Sequence, residues 1–91
     1  VNGQIDRLLI SDKEVIIADY KTTRIAPKTA ENCPEAYLVQ MAVYRHLLQD
    51  LYPNHTIRCL LIWTSAPSVM ELPEDILIQR MGLINRKLDH S

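Results

Sequence analysis

Asp19 and Lys21 stand one residue apart at the end of a very apolar run, Val15-Ile16-Ile17-Ala18. Side chains alternate faces along a β-strand, so this acid and this base point the same way. A solvated surface strand has no need of the pair. A site that holds a divalent cation and stabilises charge on a phosphate needs both: the carboxylate for the cation, the ammonium beside the developing anion. A second acid, Asp6, lies upstream in Gly3-Gln4-Ile5-Asp6-Arg7.

The polar break Ser11-Asp12-Lys13-Glu14 separates Leu8-Leu9-Ile10 from Val15-Ile16-Ile17, so the two runs read as a hairpin. With Asp12 and Lys13 as the loop, Ser11 faces Glu14, Leu8 faces Ile17, Ile10 faces Val15 and Asp6 faces Asp19. Opposed residues have β-carbons roughly 5 Å apart. Two ionised carboxylates repel strongly at that distance, and a bound dication reverses the sign of the interaction. The shared face is then oily near the turn and polar at its open end, where Gln4 and Lys21 join the acids. A loop one residue longer would instead put the two aspartates on opposite faces. Gly3 reads either as a place of close approach or as an ordinary strand start. Arg7 reads best as the partner of an acid on the other sheet face.

The elements that must hold these residues follow in the order strand, strand, helix, strand, strand, helix. Thr22 to Ala30 is a polar connection containing Pro27. Asn32 has the character of a helix N-cap, with Glu35 as its capping-box partner and Pro34 in the first turn. This helix is expected to run to about Leu51, before Pro53. Thr56 to Thr64 reads as a mostly buried strand, Ser65 to Ser68 as a turn, and Val69 to Leu72 as the returning strand. Pro73-Glu74-Asp75 opens a last helix, where acids suit the N-terminal dipole. Its broad apolar side carries Ile76, Leu77, Met81, Ile84 and Leu88.

On the first helix Tyr37, Gln40, Met41, Tyr44 and Leu48 recur at helical spacing and should face the sheet. Gln40 and Tyr44 are four apart and lie side by side. A buried amide and phenol need partners. Lys21, a bound water or a phosphate oxygen would serve; so would a backbone group, with Tyr44 as plain packing. His46, His55 and His90 show no ligand spacing and read as surface residues. Met41, Met70 and Met81 read as core fillers.

The chain has 91 residues, enough for one small domain with a modest core. Its 47% hydrophobic content places it among globular chains. A net charge of −1 supplies no overall basic field for nucleic acid, so any such contact must come from local placement or from another domain. The apolar runs are too short for a membrane span, and no signal peptide is visible. The two cysteines, Cys33 and Cys59, lie far apart and read as reduced thiols of a cytoplasmic protein. The chain opens inside a strand without an initiator methionine, which reads as a piece of a larger protein.

Gly-x-Ile-Asp-Arg, then Ile-Ala-Asp-Tyr-Lys-Thr, then Gln-x-x-x-Tyr on a following helix resembles the RecB-type nuclease module of the PD-(D/E)XK superfamily. Within it, the chain is most similar to the C-terminal end of AddA-type helicase–nuclease subunits, which process bacterial double-strand breaks. The resemblance covers nearly all of the chain. It implies an α/β, restriction-endonuclease-like core: a mixed sheet of about four strands with two flanking helices, truncated at its N-terminus. It implies metal ligation by Asp6, Asp19 and the backbone carbonyl of Tyr20, with Mg²⁺ or Mn²⁺ as the ion. Lys21 becomes the catalytic lysine, and Gln40 and Tyr44 the auxiliary pair.

The same resemblance implies DNA as substrate, as single strands delivered by an ATP-driven helicase motor, and a partner subunit of the AddB type. Relatives with an iron–sulfur cluster use four cysteines, so no cluster is expected here. The expected function is metal-dependent exonucleolytic hydrolysis of phosphodiester bonds. The alternatives are an inactive nuclease-fold module used for DNA contact or for assembling subunits, and a purely structural α/β domain. The family also carries an upstream helix with a metal-binding histidine, absent from this chain. Leu8, Ile10, Val15 and Ile17 on one sheet face, with Leu9 and Ile16 on the other, then demand cover that two helices do not fully supply. Self-association of the fragment is expected.

Overall fold

The computed structural model describes residues 5–23, 25–65 and 67–89, the last three by backbone only. The strands are β1 (Arg7–Ile10), β2 (Glu14–Lys21), β3 (Thr56–Trp63) and β4 (Ser68–Glu71), and the helices are α1 (Glu35–Leu51) and α2 (Glu74–Asp89). The sheet order is β1-β2-β3-β4. The hairpins β1–β2 and β3–β4 are antiparallel, while β2 and β3 run parallel. A parallel pair cannot be joined by a tight turn, and α1 supplies the crossover. The expected ββαββα mixed sheet is therefore the fold. Gly3, Gln4 and His90, named from the sequence, lie outside the described residues.

The hairpin closes through Asp12 and Lys13. Ser11 N–H donates to the Glu14 carbonyl at 2.9 Å, and Leu8 stands opposite Ile17 and Ile10 opposite Val15. The alternative loop, which would have separated the aspartates, is excluded. His55 is not the free surface histidine expected. It is half-buried, its Nε2 lies 2.9 Å from the Ser11 carbonyl, and its ring meets Tyr52 edge-on. It ties the β1–β2 turn to the start of β3.

One sheet face and α1 form the core. Val15 and Ile17 from β2 meet Ile57, Cys59, Leu61 and Trp63 from β3, with Leu38, Met41, Ala42 and Leu48 from α1 and Leu77 from α2. Alternation along β3 is complete: each inward residue is buried and each outward one is half-exposed or exposed. Leu38 and Ala42 extend the expected α1 stripe, so the helix seats a broader face than Tyr37, Gln40, Met41, Tyr44 and Leu48 alone. The helices are joined by ion pairs Arg45–Glu74 and Arg80–Glu35. That use of Glu35 corrects the expected capping box. Pro34 occupies the N-cap, and Asn32 sits in a preceding 3₁₀ turn. The fixed φ of Pro34 starts the helix without a side-chain cap.

Both cysteines are buried and free. Burial pushes the Cys59 thiol up to about 12. Arg7, expected to pair with an acid, is exposed and makes no ion pair with another described residue.

Cover on the sheet is uneven. Leu8, Leu9 and Ile10 of the edge strand β1 are 40%, 52% and 50% exposed, while α1 packs chiefly on β3. Leu61, opposite Asp19 in the parallel ladder, is fully buried. Leu61→Ala should cost about 2–5 kcal/mol in urea unfolding, from lost transfer energy and the cavity left behind. Leu9→Ala should stay within about 0.5 kcal/mol.

Candidate active site

The candidate residues gather at the C-terminal end of β2, where the β1 ladder stops at Arg7↔Ala18. Ligand sites in open α/β sheets commonly lie just beyond such strand ends. Asp6 sits in the bend before β1, so one expected strand position is not strand. Its register still sets it opposite Asp19. The Asp6 Oδ2 accepts a hydrogen bond from the Tyr20 N–H at 2.9 Å, replacing the next rung of the sheet. A residue's N–H and C=O project to the same strand edge, so the Tyr20 carbonyl points to the side where Asp6 lies.

Asp19 is 8% exposed. Lys21 Nζ lies 2.6 Å from Asp19 Oδ2, with little of either side chain exposed. The contact is close but poorly directed, and Oδ2 is buried without a hydrogen bond. Burial raises the carboxyl of Asp19 above the ordinary range, reinforced by Asp6 and opposed by Lys21. Asp6 moves the other way, lowered first by a side-chain hydrogen bond with Asp19 and then by the Tyr20 N–H. Two carboxyl groups sharing one site behave in this manner, their ionisation pushed in opposite directions.

This donor set fits a hard dication. An under-bonded buried carboxylate oxygen, a second carboxylate and a main-chain carbonyl on one edge are oxygen ligands of the right class. Among the described residues no three His, Cys, Asp or Glu side chains cluster, so the side-chain ligands here number two, Asp6 and Asp19.

Lys21 has a second contact that the spacing of residues did not suggest. Its ammonium sits 3.8 Å from the centre of the Tyr37 ring. A cation over an aromatic face is held electrostatically. Tyr37 lies in the first turn of α1, three residues before Gln40. Gln40 and Tyr44 come together as expected, with Gln40 Nε2 donating to Tyr44 Oη at 3.4 Å. Neither makes a hydrogen bond to Lys21. Both are half-buried rather than sealed in the core.

The segment after Lys21 is tied to the end of β3. The Thr64 N–H donates to the Lys21 carbonyl at 3.1 Å, Ser65 Oγ to the Thr22 carbonyl at 2.9 Å, and Trp63 Nε1 to Thr23 Oγ1 at 3.0 Å. These bonds fix the backbone that carries Lys21. The arrangement can neutralise a cation, present an ammonium beside it, and offer amide and phenol donors nearby.

No solved structure matches the chain. Over 54 residues it is 37% identical to an ATP-dependent helicase/nuclease subunit of Oenococcus oeni (strain ATCC BAA-331 / PSU-1), a stretch that is 59% of this chain. The same stretch is 5% of that relative, so the chain spans only a small part of its length. The family model of the PD-(D/E)XK nuclease superfamily matches residues 1–75, which include every residue of the cluster around Asp6, Asp19 and Lys21. The chain belongs to the PD-(D/E)XK nuclease superfamily.

Proposed function

We propose that this chain is the metal-dependent DNA-cleaving module of a helicase–nuclease, an exonuclease acting in double-strand break repair and recombination. The observation that carries the reading is the Lys21 ammonium 2.6 Å from Asp19, with Asp6 held beside them by the Tyr20 N–H. Asp6, Asp19 and the Tyr20 carbonyl would hold Mg²⁺ or Mn²⁺. Bound there, the ion supplies Lewis acidity to a phosphate oxygen and acidifies a water. Lys21 places fixed positive charge where negative charge develops, or orients the attacking water. Tyr37 holds that ammonium in place. Gln40 and Tyr44 offer N–H and O–H donors to the phosphate or the water.

With a net charge of −1 the chain lacks its own basic field. A motor elsewhere in a longer, ATP-binding protein would deliver single strands to it, with an AddB-type partner subunit completing the cytoplasmic assembly. The relative's name, helicase/nuclease, supports that context. Among the described residues no helix is long and apolar enough to cross a membrane. The exposed Leu8, Leu9 and Ile10 favour self-association of the isolated chain through the β1 edge.

The test is an end-labelled single-strand cleavage assay with and without Mg²⁺, run alongside light scattering at several concentrations. Metal-dependent shortening of the strand is expected in a protein carrying this module. Metal binding without cleavage in that protein would favour the inactive, DNA-contacting alternative. A strictly monomeric chain would remove the self-association.

A further inference from the structure

A cavity of about 490 Å³ opens beside the lysine, and the mechanism above leaves it unused. Its walls are mostly apolar, formed by Ala26, Pro27 and Pro34 with Tyr37 and Trp63. Its position is tied to Lys21 in three ways. Trp63 is the register partner of Lys21 in the parallel ladder. The Tyr37 ring that lines the cavity also seats the Lys21 ammonium at 3.8 Å. Thr23, two residues past Lys21, lines the cavity and accepts the Trp63 indole hydrogen bond at 3.0 Å. Lys28, exposed, is also part of its lining.

We propose that this cavity is a nucleobase subsite, taking the base of the nucleotide next to the phosphodiester handled by Lys21. The proposal rests on the nuclease reading of the Asp6, Asp19 and Lys21 cluster. A planar heterocycle joined to an anionic backbone matches apolar, aromatic-containing walls with Lys28 in the lining and the Lys21 ammonium on the Tyr37 ring. The volume is in the range of small-molecule pockets and admits one base with its sugar. Apolar walls accept any base, and with Trp63 1% exposed the aromatic contact to its π-face falls to Tyr37. Lys28 is placed to neutralise a neighbouring phosphate, a contact without sequence information. The subsite thus gives sequence-tolerant grip on single strands to a chain without a basic field.

Trp63 is the chain's single tryptophan, so its fluorescence reports on the cavity. A short oligothymidylate and an abasic oligomer of equal length should be titrated in EDTA, without metal. The base-bearing strand should change Trp63 emission saturably and bind roughly 5- to 150-fold more tightly, the range that base stacking on aromatic side chains gives. Ala26→Phe, which fills the cavity, should remove that discrimination. Lys28→Ala, at an exposed position, should weaken both oligomers by a similar factor.

Equal affinity for the two oligomers, or no saturable change with either, would overturn the subsite. The abasic comparison needs no substitution, so misfolding cannot imitate it. Discrimination in a metal-loaded protein that never cuts DNA would contradict the nuclease reading while leaving the subsite intact.

Discussion

Lys21→Ala should abolish DNA cleavage, by roughly a hundredfold or more, in a helicase–nuclease that carries this module. Groups aimed at transition-state charge have effects of this size when removed. Binding of metal should survive, because the lysine is not a ligand, and ATP-driven unwinding should continue unchanged. The substitution also frees Asp19 from the one cation paired with it among the described residues. A positive charge that repels a dication is then gone from the site, so metal affinity should hold or rise while turnover collapses. That split separates a catalytic lysine from a structural ion pair. If Lys21→Ala cut DNA at the wild-type rate, the lysine would be reassigned to stabilising buried Asp19.

Asp19→Asn should have an effect on cleavage of the same order and a distinct effect on the fold. Asparagine fills the same space and keeps one oxygen, yet has no charge for a cation. Asp19 is buried beside a second carboxyl group, and burial opposes its ionised form. Removing that charge should not destabilise the metal-free fold as a cavity would; what it removes is stabilisation by metal. Asp6→Asn should lose metal-linked stabilisation too, although Asp6 is exposed. Circular dichroism melts of the three proteins, with and without metal, read the difference.

Much of this cluster was legible in the residues because strand period and turn length together fix register. A polar break of the right length between two apolar runs put Asp6 opposite Asp19, and one intervening residue put Lys21 beside Asp19. Gln40 and Tyr44 met because four residues make about one helical turn. The N-cap was misplaced because Pro34 begins the helix by backbone constraint, releasing Asn32 and leaving Glu35 for Arg80. The seat of Lys21 on Tyr37 depends on how α1 packs against the sheet, a tertiary relation that spacing along one element does not encode. His55 escaped for the same reason: its partner, Ser11, is 44 residues away. The exposure of Leu8 and Ile10 agrees with the incomplete cover expected from two helices.

The most direct measurement is a melting curve of the wild-type chain against Mn²⁺, with Asp19→Asn as control. A ligand that binds only the native state stabilises it by mass action. Metal at about ten times its dissociation constant adds roughly 1.4 kcal/mol. For a domain of this size that moves the midpoint by roughly 6–11 °C. The wild type should show that rise and Asp19→Asn should not. Equal midpoints for both proteins, with and without millimolar Mn²⁺, would contradict a metal centre at Asp6 and Asp19.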